Sequence, residues 1–83
     1  MKVGTVTGPV WATKKIAGLT GQILLRVRAD GKDFIAADLV GAGQGERVIL
    51  TFGGAARLDR PQVPVDAAII GILDETEARP WTK

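Results

Sequence analysis

The chemistry open to this chain is narrow, because the sequence contains no cysteine, histidine, serine, asparagine or tyrosine. Thiol, serine–histidine and imidazole-ligated metal chemistry are therefore excluded within the chain. The carboxylates are scattered: Asp30 and Asp33 flank a turn glycine, while Asp66 and Asp74 bracket an apolar run. No spacing among them indicates a catalytic pair. We therefore expect no enzyme activity, no cofactor and no bound metal.

Three alternating glycines, Gly41, Gly43 and Gly45, form the most informative motif of the chain. Glycine loops cradle phosphates when they lead into the N-terminus of a helix. Here residues 46–52 are β-branched, aromatic and alternating, which predicts a strand. No P-loop lysine follows, and the spacing is not G-x-G-x-x-G. The motif therefore predicts a loop that connects strands or contacts another subunit.

The elements that would position this loop are almost all β-strands. Gly8-Pro9 predicts a bulge or bend within the first strand, and Asp30-Gly31 predicts a tight hairpin turn. One short helix is expected at 53–58. Together these features predict a small five-stranded barrel of the OB or SH3-like kind. The expected strands cover residues 2–13 with the bend, 22–28, 34–40, 46–52 and 65–74.

A chain of 83 residues forms one small domain with a thin core. Small domains commonly compensate with disulfides, metals or oligomerisation, and the composition leaves the last of these favoured. The final strand is apolar on both faces, with Ile69 and Leu73 on one face and Ala68, Ile70 and Ile72 on the other. Either a short helix or a neighbouring subunit must cover the second face, and the pattern alone favours neither.

The charge and hydropathy of the chain bear on its location. The net charge is +2 with dispersed Lys and Arg, which is weak support for nucleic-acid binding. The apolar runs are far shorter than a membrane span, and the N-terminus has no signal-peptide pattern. We therefore expect neither a signal peptide nor a membrane segment.

Four blocks of sequence, in order and with matching spacing, carry a resemblance. They are the opening Val3-Gly4-Thr5-Val6 with Val10-Trp11-Ala12-Thr13 and Leu19-Thr20-Gly21, the loop at 38–46, the turn Gly54-Ala55-Ala56-Arg57, and the strand at 64–74. Together they resemble the EutN/CcmL family, the vertex proteins of bacterial microcompartments. The family turn often carries serine where this chain has Gly54, and residues after Asp74 have no clear match.

The resemblance implies an all-β, OB-like barrel with one short helix that assembles as a homo-pentamer. Such pentamers fill the five-fold vertices of a microcompartment shell, beside hexameric or pseudohexameric shell proteins. Residues 1–74 would form the vertex domain and residues 75–83 a polar C-terminal tail. The resemblance thus implies a structural role and a location in the microcompartment shell in the cytoplasm.

The resemblance also implies which residues meet at a subunit interface or pore loop. The three glycines would permit close approach near ring contacts or the axis, and Glu46 and Arg57 are expected to pair across subunits. The final strand would supply apolar surface. The expected site residues are Gly41, Ala42, Gly43, Gly45, Glu46, Arg57, Ile69, Ile70 and Ile72.

The main alternative is an OB-fold module that binds nucleic acid. Such modules stack bases on aromatic side chains set in a basic groove. The two tryptophans and two phenylalanines of this chain lie in different segments and form no cluster. A third possibility, an enzyme subunit or regulatory module, has no supporting feature. The nucleic-acid interpretation therefore ranks well below the structural one.

Overall fold

The computed structural model describes residues 1–57 and 63–74. This part of the chain forms five strands and two short 3₁₀ helices, which confirms the predicted all-β class. The helices are Ala17–Leu19 and Gly53–Arg57; the second is the predicted short helix, and the first lies between the first two expected strands. The strands are β1 (Lys2–Val10), β2 (Leu24–Ala29), β3 (Lys32–Asp38), β4 (Arg47–Phe52) and β5 (Ala67–Ile72).

The five strands close into a barrel in the order β1-β2-β3-β5-β4. All neighbouring pairs are antiparallel except β3 and β5, which run parallel and share two residue pairs, Ala37 with Ala68 and Asp38 with Ile69. Closure removes the free sheet edges that would otherwise pair with other chains. The order and closure agree with the predicted OB-like barrel.

The β2–β3 hairpin turns where the sequence predicts it. Asp30 and Gly31 both have positive φ, 53° and 71°. Two successive residues with positive φ match the twist of the strands on either side and are favoured by Asp-Gly. The predicted tight turn is confirmed.

A bulge bends β1 near Gly8. Val6 pairs with Val27 and Gly8 pairs with Arg26, so Thr7 is the extra residue. Thr7 donates its hydroxyl to the carbonyl of Arg26 at 3.2 Å. The bend is therefore present, one residue earlier than Gly8-Pro9. The strand ends at Val10 and does not continue to residue 13 as expected.

A second bulge lies in β5 at Ile70. Leu50 on β4 pairs with Ile69, while Ile49 pairs with Gly71, which leaves Ile70 as the extra residue. A bulge of this kind shifts the alternation of side chains along the strand by one position.

The shift changes which residues share a face. Ile72 pairs with Val48, whose side chain is fully buried. Because directly paired residues project from the same face, Ile72 lies on the side of the sheet that also carries Ile69. The alternation in the sequence predicts opposite faces for these two isoleucines, and this prediction was wrong because the bulge at Ile70 interrupts the alternation.

The core is small and built from β-branched and short side chains. The largest side chains with almost no exposed surface are Leu50, Ile69, Val6, Val27 and Val48. Phe34 and Phe52 pack against this cluster and meet edge to face, with ring centroids 5.2 Å apart. Ile23 belongs to the expected strand at 22–28, where alternation places it on the same face as Leu25 and Val27, but it is 62% exposed because β2 begins only at Leu24.

Residues 58–62, which include the last residue of the helix expected at 53–58, and the predicted polar tail at 75–83 with Trp81 lie outside the described residues. The division into a 1–74 domain and a tail stays a prediction. Trp11 is described and is 85% exposed, so it takes no part in the core.

Candidate functional site

The glycine loop joins β3 to β4 at one end of the barrel. Gly41 and Gly45 have φ values of 80° and 88°, in the left-handed region that favours glycine. Two of the three alternating glycines are therefore required by the backbone itself. The loop leads into β4, as the sequence predicts, and opens no helix.

Asp38, the last residue of β3, organises the first half of the loop. One carboxylate oxygen, Oδ1, accepts the N–H groups of Val40 at 3.1 Å and Gly41 at 3.0 Å. The other, Oδ2, accepts the N–H of Ala42 at 2.9 Å. A single carboxylate thus satisfies three successive backbone donors. Sequence reasoning missed this role, although an aspartate before a glycine-containing turn is a known signal of side-chain to backbone bonding.

Glu46 closes the second half of the loop. Its Oε1 atom accepts the N–H of Gly43 at 2.6 Å, and its own N–H donates to the Gly43 carbonyl at 3.1 Å. The base of the loop is bonded to β1: Gly45 donates to the carbonyl of Val6 at 2.8 Å, and Val6 donates to the carbonyl of Glu46 at 3.0 Å. The loop is therefore held to the barrel at both of its ends.

These bonds decide what the loop can do chemically. Successive backbone N–H groups in a tight loop form a concavity that binds anions. Here the four donors from residues 40–43 already face the chain's own carboxylates. The arrangement does not offer a phosphate cradle, in agreement with the interpretation of the loop as a connection or a contact surface.

Arg57 lies at the end of the second 3₁₀ helix and is partly buried. Its guanidinium Nη1 donates to the carbonyl of Val65 at 2.7 Å, which ties this helix to the segment before β5. Both Arg57 and Glu46 thus make bonds within the chain. Their expected pairing across subunits stays a prediction.

The three isoleucines predicted on β5 differ in exposure. Ile69 is completely buried, so its side chain packs in the core and leaves no surface for a neighbour. Ile70 is 43% exposed and Ile72 is 39% exposed. Of the three, these two are the candidates for a contact with a second subunit.

A further apolar surface lies on the outside of β1 and β4. Val3 pairs with Ile49, and Ile49 pairs with Gly71 on β5. Val3 is 44% exposed, and the Ile49 Cδ1 atom lies 3.3 Å from where a Cβ of Gly71 would stand. A shallow hollow of about 290 Å³ is lined here by Met1, Lys2, Val3, Ile49 and Leu73.

A cleft of about 320 Å³ lies beside the first 3₁₀ helix, and Lys15 is the one charged side chain among the described residues that line it. Residues 1–57 and 63–74 contain no group of three or more acidic, histidine or cysteine side chains placed to hold a metal ion. Within the same residues, no helix is long and apolar enough to cross a membrane.

The family profile described as "Ethanolamine utilisation protein EutN/carboxysome" matches residues 1–74. The chain belongs to this family. The resemblance seen in the four sequence blocks is confirmed, and this EutN/CcmL-family chain matches its relatives over nearly their full length.

One relative is the bacterial microcompartment shell vertex protein PduN of Salmonella typhimurium, 41% identical over 87 residues that cover 89% of this chain and 96% of PduN. Another is the carboxysome shell vertex protein CcmL of Thermosynechococcus vestitus, 40% identical over 83 residues that cover 89% of this chain and 84% of CcmL. Both relatives are named for the vertex of a shell.

Solved structures extend the match to three dimensions. The GrpN pentameric microcompartment shell protein from Rhodospirillum rubrum superposes with a TM-score of 0.82 at 38% identity, covering 95% of this chain and all (100%) of that one. An ethanolamine utilization protein EutN gives a TM-score of 0.83 at 38% identity, covering 94% and 91%. The homologues are microcompartment shell vertex proteins, and none of these names supports the nucleic-acid alternative.

Proposed function

We propose that this chain assembles as a homo-pentamer that occupies the five-fold vertices of a bacterial microcompartment shell. The observation that carries the proposal is the match to GrpN, a pentameric shell protein, over the whole of that chain at 38% identity. Two relatives from different kinds of compartment, PduN and the carboxysome protein CcmL, are both named as shell vertex proteins, which supports the same function.

The role is geometric. A flat layer of hexameric tiles cannot close into a polyhedron, and five-fold units introduce the required curvature. A ring of five copies uses a heterologous contact, in which one patch of each subunit meets a different patch of the next. The partners at the rim of the ring would be hexameric or pseudohexameric shell proteins.

The surface of the barrel supports association. Ile70 and Ile72 on β5 and Val3 on β1 are large apolar side chains that are more than a third exposed. They remain exposed although the core of the domain contains few large apolar side chains. A stable contact buries about 800 Å² on each partner, and apolar surface of this kind is typical of interaction sites. We assign these side chains to the contacts between subunits or with tiles.

The composition supports a non-enzymatic role, and the names of the relatives support a place in the shell of a compartment, which we assign to the cytoplasm. The chain lacks histidine, cysteine and serine, and its described residues hold no cluster suited to a metal. Closing the shell, and so retaining metabolites inside it, requires only a folded ring of the correct symmetry.

The test is deletion of the gene in its host, followed by electron microscopy of the compartments. We expect elongated or unclosed shells, with cargo enzymes retaining full activity in extract, and normal shells when the gene is restored from a plasmid. Regular closed shells in the deletion strain, with no second copy of the gene present, would contradict the proposal. Loss of cargo activity in extract would also contradict it, because that result indicates an enzymatic role.

A further inference from the structure

Four consecutive backbone N–H groups of the glycine loop, at residues 40–43, donate to two carboxylates of the same chain. Asp38 accepts three of these bonds, at 2.9 to 3.1 Å, and Glu46 accepts the fourth at 2.6 Å. The loop therefore has its conformation fixed by side chains that flank it in sequence.

We propose that Asp38 is a positioning residue for ring assembly, whose carboxylate sets the glycine loop in its binding conformation before subunits meet. The inference rests on the proposed function in one respect: the loop's neighbour is taken to be a second copy of this chain. The setting of the loop by Asp38 is a property of the single chain.

The physical reason begins with the cost of burying bare backbone donors. An N–H group that loses its water at an interface without gaining another partner is strongly unfavourable. Gly41 and Gly43 offer no side chain to shield their amides, and both residues are exposed. The two carboxylates satisfy these donors within the chain, so a neighbour can cover the loop without stranding them.

The second reason is entropy. A loop rich in glycine has more backbone conformations to lose than any other, and ordering it on contact weakens binding. Asp38 restricts residues 40–42 while the chain is still a monomer. A subunit whose loop is already ordered loses less conformational entropy on joining the ring, and its affinity is correspondingly higher.

The barrel has its own anchors at this point and does not depend on the carboxylate. The backbone N–H of Asp38 donates to the carbonyl of Ile23 at 2.8 Å, and the N–H of Leu39 donates to the carbonyl of Ile69 at 3.2 Å. These main-chain bonds persist when the side chain is shortened. Removal of the carboxylate is therefore expected to free the loop and to leave the strands in place.

The experiment compares Asp38→Ala with Asp33→Ala in the full chain. Asp33 lies near the start of the same strand, whereas Asp38 is at its end, and the Asp33 carboxylate accepts a bond from the Arg28 guanidinium at 3.1 Å. Three quantities are measured: far-UV circular dichroism, hydrogen exchange of the amides of residues 40–42, and oligomer mass on dilution. Like Asp38→Ala, the control variant Asp33→Ala removes one negative charge and one carboxylate from β3.

We expect Asp38→Ala to keep the β spectrum, to exchange the loop amides at least about tenfold faster, and to dissociate at a protein concentration at least about tenfold higher than the wild type. Asp33→Ala is expected to match the wild type in loop exchange and in oligomer mass. Unchanged assembly in Asp38→Ala would overturn the proposal. Loss of the β spectrum in Asp38→Ala and also in the milder Asp38→Asn would overturn it too, because the carboxylate would then serve folding.

Chemical rescue separates positioning from general stability. Sodium formate supplies a small carboxylate that fits the space left in Asp38→Ala, and it should restore slow amide exchange and the oligomer, whereas sodium chloride at the same ionic strength should not. Restoration by both salts alike would overturn the proposal, because it indicates screening of charge. A wild-type chain that is monomeric would contradict the proposed function, while the exchange and formate results would still decide whether Asp38 sets the loop.

Discussion

Gly4 on β1 lies so close to β2 that a Cβ atom at this position would stand 2.6 Å from Val27 Cγ1 and 2.8 Å from the carbonyl oxygen of Arg28. The carbonyl oxygen of Arg28 belongs to the main chain and cannot move away by a change of rotamer. The wall of the barrel is therefore closed tightly here by the absence of a side chain, and Val27, which is fully buried, occupies the space.

The first prediction follows from this contact. Gly4→Ala should lower the free energy of unfolding by about 1–3 kcal/mol or more, because the added methyl group overpacks the core. Gly8→Ala on the same strand is the matched control, since a Cβ there meets no atom within 4 Å. Thermal or urea unfolding of both variants measures the difference. If the two variants were equally stable, β1 and β2 would be able to move apart at Gly4 and admit a methyl group without loss of stability, which would contradict this prediction.

The second prediction concerns Gly43. A Cβ at this position would lie 3.4 Å from Oε1 of Glu46, so Gly43→Asp adds bulk and a second negative charge beside that carboxylate. We expect a folded barrel with weakened assembly, measured by light scattering. Gly54→Asp is the control, because a side chain there meets open space. If Gly43→Asp keeps the normal oligomer, the loop is an ordinary solvent-facing connection.

The third prediction concerns Ile70. Because its side chain is 43% exposed at the bulge of β5, Ile70→Glu should spare the core and place a charge at the proposed subunit contact. We expect a monomer with an unchanged far-UV spectrum. Ile16→Glu makes the same change at a 65% exposed isoleucine before the first 3₁₀ helix. If only Ile16→Glu lost the oligomer, the subunit contact would lie near Ile16 and not on β5, which would contradict this prediction.

The fourth prediction concerns acid stability. Lys2 donates a hydrogen bond to Asp30, and this bond together with the charge of Lys2 lowers the pKa of the Asp30 carboxyl below its ordinary value of 3.8. A carboxyl with a lowered folded-state pKa stabilises the fold above its unfolded-state pKa, and the contribution is lost as the pH falls through the folded value. The loss is therefore expected below about pH 4.

The effect is expected to be small, because both side chains are exposed, Lys2 by 40% and Asp30 by 65%. Urea unfolding of the wild type and Asp30→Asn across this range measures it, and asparagine also tolerates the positive φ at position 30. The variant should show a shallower loss of stability in acid. Identical acid profiles would show that the ion pair contributes nothing in solution.

Much of the fold could be predicted because the strongest signals are local. Asp30-Gly31 fixes a turn through its backbone preferences, and the alternation of Leu25 and Val27 with arginines fixes the inner face of β2. The bulge at Ile70 was not predicted, because Gly71 beside it is a weak signal: a glycine within a strand can mark a bulge but does not show where the pairing with β4 shifts. The register between strands distant in sequence carries no local mark.

The candidate site was predicted in part. The alternating glycines correctly predicted a loop. Gly41 and Gly45 have left-handed φ values, which explains why glycine is required at these two positions. Asp38 was not singled out, because a lone aspartate at the end of a strand has many possible roles until the path of the next four residues is known. Ile69 was expected to contribute apolar surface to a subunit interface. It pairs with the buried Leu50, so its side chain points into the core and is completely buried.

Native mass spectrometry of the purified protein at micromolar concentration tests the pentameric assembly most directly. We expect one dominant species with five times the mass of the 8.7 kDa chain. A monomer would contradict the ring, and a hexamer would contradict the vertex role while leaving a shell protein.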